Sequence, residues 1–159
     1  MNIRIRKAEA TDVPAIADLL KSLGLFNHIN VEAVSTSQER LLKHLALCTS
    51  DDSHLVLVAQ TPGGEIAGYC AVHWLPSFIL IGAEGYVSEL FIRDEFRGQG
   101  IGGQLLETVK TEALNRGCSR LMLFNLRIRE SYKRQFYAKH GWEERPDAAN
   151  FVLQLGNRS

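Results

Sequence analysis

Val87-Ser88-Glu89-Leu90-Phe91-Ile92-Arg93-Asp94-Glu95-Phe96-Arg97-Gly98-Gln99-Gly100-Ile101-Gly102-Gly103 is the stretch that decides the fold. It opens inside a strand-like run, Tyr86 to Ile92, turns through an arginine and a cluster of glycines, and continues as a helix-like run from Ile101 to Arg116. A glycine-rich turn that opens a helix gathers backbone N–H groups with no intrahelical acceptor at the positive end of the helix dipole. Such a turn is a site for a phosphate or another anion.

Working outward, the helix after the turn carries Leu105, Leu106, Val109 and Ala113 on one face and ends at Gly117, a suitable C′ residue. Ahead of the turn, His54 to Ala59 and Ile66 to His73 read as strands joined by the hairpin turn Thr61-Pro62-Gly63-Gly64. The apolar stretch from Trp74 to Glu84 is broken by Pro76 and Gly82 and reads as a strand extension plus a loop. At the N-terminus, Ile3 and Ile5 alternate with Arg4 and Arg6 as a first strand. Thr11 is the N-cap expected for a helix with Pro14 in its first turn and Val13, Ile16, Ala17, Leu19 and Leu20 as its apolar stripe. Gly24 to Ser35 is expected to be irregular. A second helix follows from about Ser37 to Leu47, with Leu41, Leu42, Leu45 and Ala46 inward. Beyond Gly117, Leu121 to Leu126 predicts a strand and Glu130 to His140 a short helix stopped by Gly141. Trp142 to Glu144 and Phe151 to Leu155 predict a closing strand pair. The order is strand, two helices, three strands, helix, strand, helix, two strands. This is a mixed α/β domain of the α+β type, with a largely antiparallel sheet flanked by helices, spanning residues 1–159 as one unit.

Composition narrows the function. Of 159 residues, 45% are hydrophobic and 23% charged, as in soluble globular proteins. Eighteen Lys and Arg balance eighteen Asp and Glu, which argues against nucleic acid as a partner. Cys48, Cys70 and Cys118 are scattered and odd in number, with no CxxC pattern. They predict neither a zinc site nor a disulfide framework, and they fit a reducing, cytoplasmic compartment. The N-terminus alternates charged and apolar residues, unlike a signal peptide, and no apolar run approaches a membrane span.

Taken literally, Gly98-x-Gly100-x-x-Gly103 matches the dinucleotide fingerprint. In that motif the first glycine follows its strand almost directly. Here Arg93 to Arg97 intervene, the motif falls late in the chain, and the next strand ends in Asn125-Leu126-Arg127 without an acidic ribose ligand. A P-loop is excluded because Gly-Lys-Ser/Thr is absent. The string from Val87 to Gly102 resembles instead the acyl-CoA-binding core of the GNAT superfamily of N-acyltransferases. That pattern is a strand, a short connection, then Arg/Gln-x-x-Gly-x-Gly/Ala opening a helix; Arg97, Gly100 and Gly102 match it position by position. The element order resembles the family's over nearly the whole chain.

The resemblance implies that acetyl-CoA is the cosubstrate, with no metal. The coenzyme A pyrophosphate is expected on the N–H groups of Gly98, Gln99, Gly100, Ile101, Gly102 and Gly103, beside Arg97. The pantetheine arm is expected to pair with the backbone of Leu90, Phe91 and Ile92, where the family's strand splays from its neighbour after a bulge. The implied reaction is direct transfer of an acetyl group to a primary amine. Phe136-Tyr137-Ala138-Lys139-His140-Gly141-Trp142 resembles the family's Tyr-x-x-x-Gly-Phe signature, with Trp142 in place of phenylalanine. Tyr137 is therefore the candidate donor of a proton to the leaving thiolate; packing, or holding the cofactor, is the alternative. Lys133, one turn earlier on the same predicted helix, is placed to lower its pKa or else is simply solvated.

Alternation places Val87, Glu89 and Phe91 on one strand face unless a bulge reverses it, and Glu89 is the candidate base. Glu84, His73 and Tyr86 are weaker alternatives, and His73 reads as an ordinary strand histidine. Where the family often has an asparagine contacting the cofactor, this chain has Arg129-Glu130-Ser131. Ser131, as a helix cap, and Asn125 are the candidate substitutes. The acceptor is expected against Gly24 to Ser35 and Trp74 to Tyr86, with Phe26, His28, Trp74 and Phe78 as candidate pocket walls, although residues of these types more often serve simple packing. A small-molecule amine or a peptide fits, and a homodimer is a further expectation from the family and from the apolar Leu75 to Ile81 stretch. A non-catalytic acyl-CoA-binding module is the rival reading.

Overall fold

The structure, a computed structural model, describes residues 2–156. The chain forms two compact units, Met1–Phe124 and Asn125–Ser159.

The first unit is a five-stranded sheet in the order β1-β2-β3-β4-β5: Arg4–Lys7, His54–Gln60, Ile66–Leu75, Glu84–Ile92 and Arg120–Leu123. The first four strands are antiparallel and β5 lies parallel to β4. The predicted hairpin closes with Gly64 N–H donating to Thr61 O at 2.9 Å and Thr61 N–H to Glu65 O at 2.8 Å. Strand alternation then sorts the side chains. Val56, Val58, Tyr69 and Phe91 share one face, where Ile16, Leu19 and Leu20 of α1 (Val13–Ser22), Ile29 of α2 (Asn27–Val31), and Leu41 and Leu45 of α3 (Val34–Thr49) pack against it. The other face is covered by α4 (Ile101–Asn115), whose Ile101, Leu105, Leu106, Val109 and Ala113 are buried as the periodicity predicts.

Several boundaries differ from those predicted. Thr11 is not the cap of α1. Asp12 takes the junction instead: its Oδ2 accepts the Glu9 N–H at 2.8 Å, and its two oxygens receive the Arg6 guanidinium at 2.7 and 2.8 Å. The segment from Gly24 to Ser35 is not irregular throughout, because it contains α2 and the start of α3. Glu32 ties this corner together by accepting from Ser37 Oγ at 2.5 Å and from the Arg40 fork, which holds its carboxyl at about 2, far below the usual range. In α3 the inward stripe is Ser37, Leu41 and Leu45, a strict i, i+4 row. Leu42 and Ala46 are exposed, contrary to expectation. β5 ends at Leu123 rather than Leu126, its last pair with β4 being Leu123 opposite Val87.

In the second unit the predicted Glu130 to His140 helix is two short helices, α5 (Glu130–Lys133) and α6 (Phe136–Lys139). Gln135 between them is left-handed, φ 55°, which interrupts the helical ladder. Gly141, φ 80°, ends α6 as expected. The closing strand pair does not form among the described residues. Pro146 removes a donor between its halves. Phe151, Val152, Leu153 and Leu155 remain exposed, so no buried face draws the segment into a sheet.

The Asp12–Arg6 pair gives a pH signature. Its hydrogen bonds from Arg6 hold the Asp12 carboxyl below its ordinary value, so its stabilisation is complete above about pH 4 and is lost as pH falls through the lower folded value. Asp12→Asn is expected to destabilise the protein by about 1–3 kcal/mol at neutral pH. The gap to wild type should narrow below pH 4 when denaturant unfolding is followed across pH.

Candidate active site

The turn between β4 and α4 has the predicted character. Gly98 and Gly100 are left-handed, φ 75° and 77°, and an added Cβ at either would point into open space. The glycines are therefore required by backbone conformation, and they leave the mouth of the turn clear. Gly100 is the N-cap of α4, and no side chain bonds the cap. The N–H groups of Ile101, Gly102 and Gly103, in the first turn, have no intrahelical acceptor by helix geometry. A diphosphate fits such a cradle: open, left-handed and at the positive end of a 15-residue helix. Arg97 is half-exposed at the entrance, pairing Asp94 at 2.7 Å and donating to the Ile92 carbonyl at 3.3 Å; Gln99 donates to Glu95 O at 3.3 Å.

Sequence reading missed Arg93, which anchors the turn. Its side chain is buried, donating to Ile66 O at 3.0 Å, Asp18 Oδ2 at 2.8 Å and Ala15 O at 3.0 Å, while its own N–H reaches Ala67 O at 2.9 Å. One arginine thus fixes the start of the turn to β3 and α1. An arginine just ahead of the Asp94–Phe96 3-10 turn was the only signal.

β4 pairs with β3 along its whole length, but with β5 only from Glu84 to Val87. From Ser88 to Ile92 no strand among the described residues lies on its second side, so Leu90, Phe91 and Ile92 carry an open edge beside the glycine turn.

The register slips between Ala71 and Val72, making Ser88 the extra residue of a β-bulge. Ala71 faces Glu89 and Val72 faces Val87, so Val87 and Glu89 point to opposite faces. Unbroken alternation would have put them together, and only Phe91 shares Glu89's side. Glu89 is exposed and accepts from the Tyr69 hydroxyl at 2.5 Å. Burial first, then the Glu89 carboxylate, push the Tyr69 hydroxyl upward, so it remains a donor. His73, Tyr86 and Ser88 follow along the same face; Glu84 is committed to Arg120.

Burial raises all three thiols, Cys70 to about 12 with help from Glu89, so none is a thiolate at neutral pH. Of the expected pocket walls, Phe26 packs edge-to-face on Phe91 at 5.7 Å, while His28 and Phe78 are exposed. Trp74 is on the α4 side, buried under the Arg116 guanidinium at 4.8 Å, so it cannot line the face that carries Glu89.

In the second unit Tyr137 stacks edge-on with Phe136 (5.0 Å) and Trp142 (6.1 Å), and its carbonyl accepts the Trp142 N–H at 3.1 Å. The break at Gln135 takes Lys133 off Tyr137's helix, and Lys133 pairs with Glu130 at 2.8 Å. Ser131 does not cap α5, whose N-cap is Arg129. Its hydroxyl donates to Asn125 Oδ1 at 2.9 Å, joining the two candidate cofactor contacts.

Among the described residues no group of three or more His, Cys, Asp or Glu is arranged to hold a metal, and no helix is long and apolar enough to cross a membrane. Gly100→Ala should force a side chain into the left-handed region and lower stability by about 1–2 kcal/mol, read as a fall in Tm.

The chain matches the Acetyltransferase (GNAT) family over residues 19–142, a span that enters both units. It is 29% identical over 139 residues to a thialysine N-epsilon-acetyltransferase of Bos taurus, covering 82% of this chain and 81% of that protein. In fold it is similar to a transcriptional regulator from Bacillus halodurans (TM-score 0.80, 22% identity, covering 97% of this chain and 100% of the other). It is also similar to glucosamine-6-phosphate N-acetyltransferase from Arabidopsis thaliana (TM-score 0.75, 20% identity, 97% and 100% covered). An open-edged strand, a glycine turn opening a helix and a family match over most of the chain lead to one conclusion: the chain belongs to the GNAT family of acetyltransferases, which use acetyl-CoA as cosubstrate.

Proposed function

We propose that this acetyltransferase transfers the acetyl group of acetyl-CoA directly to a primary amine on a small molecule, without an acyl-enzyme intermediate. The observation that carries the reading is the parting of β4 from β5 after Val87. It leaves main-chain groups of Leu90 to Ile92 open between a carboxylate and an anion-receptive turn. Those groups suit the amides of a pantetheine arm, and the N–H groups from Gly98 to Gly103, with Arg97, suit a pyrophosphate.

Glu89 takes a proton from the acceptor ammonium, directly or through a water, and Tyr69 keeps its carboxylate oriented. Tyr137 gives its hydroxyl proton to the leaving thiolate; that role rests on its signature Phe136 to Trp142. Asn125 and Ser131 serve as secondary cofactor contacts. The protonated state of Cys48, Cys70 and Cys118 favours direct attack over a cysteine relay. A bovine relative is named for acetylating the side-chain amine of thialysine, which favours a primary amine at the end of an aliphatic arm as the acceptor. We take residues 1–159 to work as one catalytic domain, in a cytoplasmic setting that suits three unpaired thiols.

Release of free thiol from acetyl-CoA in the presence of thialysine, lysine or glucosamine 6-phosphate tests the reading. Tyr137→Phe should lower kcat on the order of 10²-fold with the KM for acetyl-CoA unchanged; an unchanged kcat removes the acid assignment. Gly100→Glu should abolish coenzyme A binding in calorimetry, and retained affinity would mean that the pyrophosphate lies elsewhere.

A further inference from the structure

The sheet face that carries Glu89 holds a second polar set that the reaction above does not use. His73 Nε2 lies 2.8 Å from Oγ of Ser88, the bulge residue. His54, opposite His73 on β2, meets it edge-to-face with ring centroids 4.7 Å apart. Behind His54, its Nδ1 lies 2.7 Å from Ser53 Oγ, which donates to Asp51 Oδ1 at 2.5 Å. Ser88 reaches this face only because of the bulge. In an unbroken ladder it would alternate with Glu89 and project toward α4.

Converting an ammonium into an amide strips two protons from nitrogen. One carboxylate holds one of them, and Glu89 already receives the Tyr69 hydroxyl. We propose that Ser88 and His73 are the second proton acceptor for the amine, with Ser88 touching the acceptor nitrogen and His73 positioned behind it. The inference rests on the acetyl-transfer reading above. The acceptor's N–H bond breaks and its electron pair stays on nitrogen. The proton bonds to Ser88 Oγ as the serine's own proton passes to His73 Nε2, and the resulting imidazolium releases a proton to water.

The titratable groups around His73 are His54 on β2, Tyr86 and Glu89 on β4, with Asp51 beyond His54 and Cys48 of α3 near Glu89. Burial first, then His54, hold the imidazole below its ordinary pKa against the opposing pull of Glu89. The ring is therefore neutral at pH 7 and able to accept. Protonated His73 cannot accept from Ser88, so activity should fall as pH drops through its lowered value, on the acid side of an ordinary histidine's titration.

The test is the pH profile of kcat/KM for thialysine with saturating acetyl-CoA. His73→Gln and Ser88→Ala should each lower kcat/KM on the order of 10²-fold at neutral pH and remove the acid limb that reports His73, leaving the KM for acetyl-CoA unchanged. Glu89→Gln should retain that limb. A limb that persists unchanged in His73→Gln overturns the proposal. Nitrogen-15 NMR of the histidine rings provides a readout independent of any acceptor. Nε2 of His73 should be the unprotonated nitrogen at pH 7.5, and Ser88→Ala should move the ring's titration; a proton resident on Nε2 overturns the proposal. If wild type acetylates no amine while the tautomer is as expected, the fault lies with the acetyl-transfer reading and not with the dyad.

Discussion

A main-chain N–H or C=O inside a sheet must be paired or solvated, and β4 is where this fold leaves such groups without a second strand to pair with. Four of its nine residues are paired on both sides; the other five have a strand only on the β3 side. What surrounds that gap follows from it. The glycine turn begins at the end of the open edge, Glu89 sits at its base, and β5 ends where its pairing with β4 stops.

Holding an edge open without letting it drift needs anchorage from behind. β3 supplies most of it through an antiparallel ladder that runs the length of β4 on its far side, interrupted only by the bulge at Ser88, and Arg93 supplies the rest. Its guanidinium reaches two carbonyls and the Asp18 carboxylate, spanning β3 and α1, just before the chain enters the turn. Truncating a buried arginine of this kind would leave carbonyls without donors, at about 1–3 kcal/mol for each unsatisfied group. The turn is therefore rigid at its root and open at its mouth, which suits a cradle whose donors must be in position before the ligand arrives.

Much of this was legible in the residues, and the misses have distinct physical causes. The five strands, the α4 face and the left-handed turn follow from alternation, helical period and glycine placement, all local signals. The bulge at Ser88 is not local: it is set by how β4 matches β3, and nothing within Val87 to Phe91 announces it. Hence alternation alone put Val87 on the face of Glu89 and Phe91, where the slipped register turns it to the opposite side. Trp74, counted with the loop as a candidate pocket wall, belongs to β3 and packs on the α4 side. The break at Gln135 was hidden for another reason. Glutamine rarely adopts φ 55°, so the Glu130 to His140 pattern gave no sign of an interruption. The closing strands failed because alternation is only half of a strand. The other half is a surface to bury against, and Phe151 to Leu155 have none.

The open edge also bears on solubility. Leu90-Phe91-Ile92 is a short apolar, β-prone segment with unpaired main chain, the kind of template on which chains add to one another and aggregate. It is bracketed by Glu89 on one side and by Arg93, Asp94 and Glu95 on the other, and the bulge twists the strand just before it. Charged brackets and a local twist are what discourage a second chain from docking along an edge. The irregularity at Ser88 that separates Glu89 from the face of Val87 is thus also a feature that disfavours docking of a second strand along that same edge.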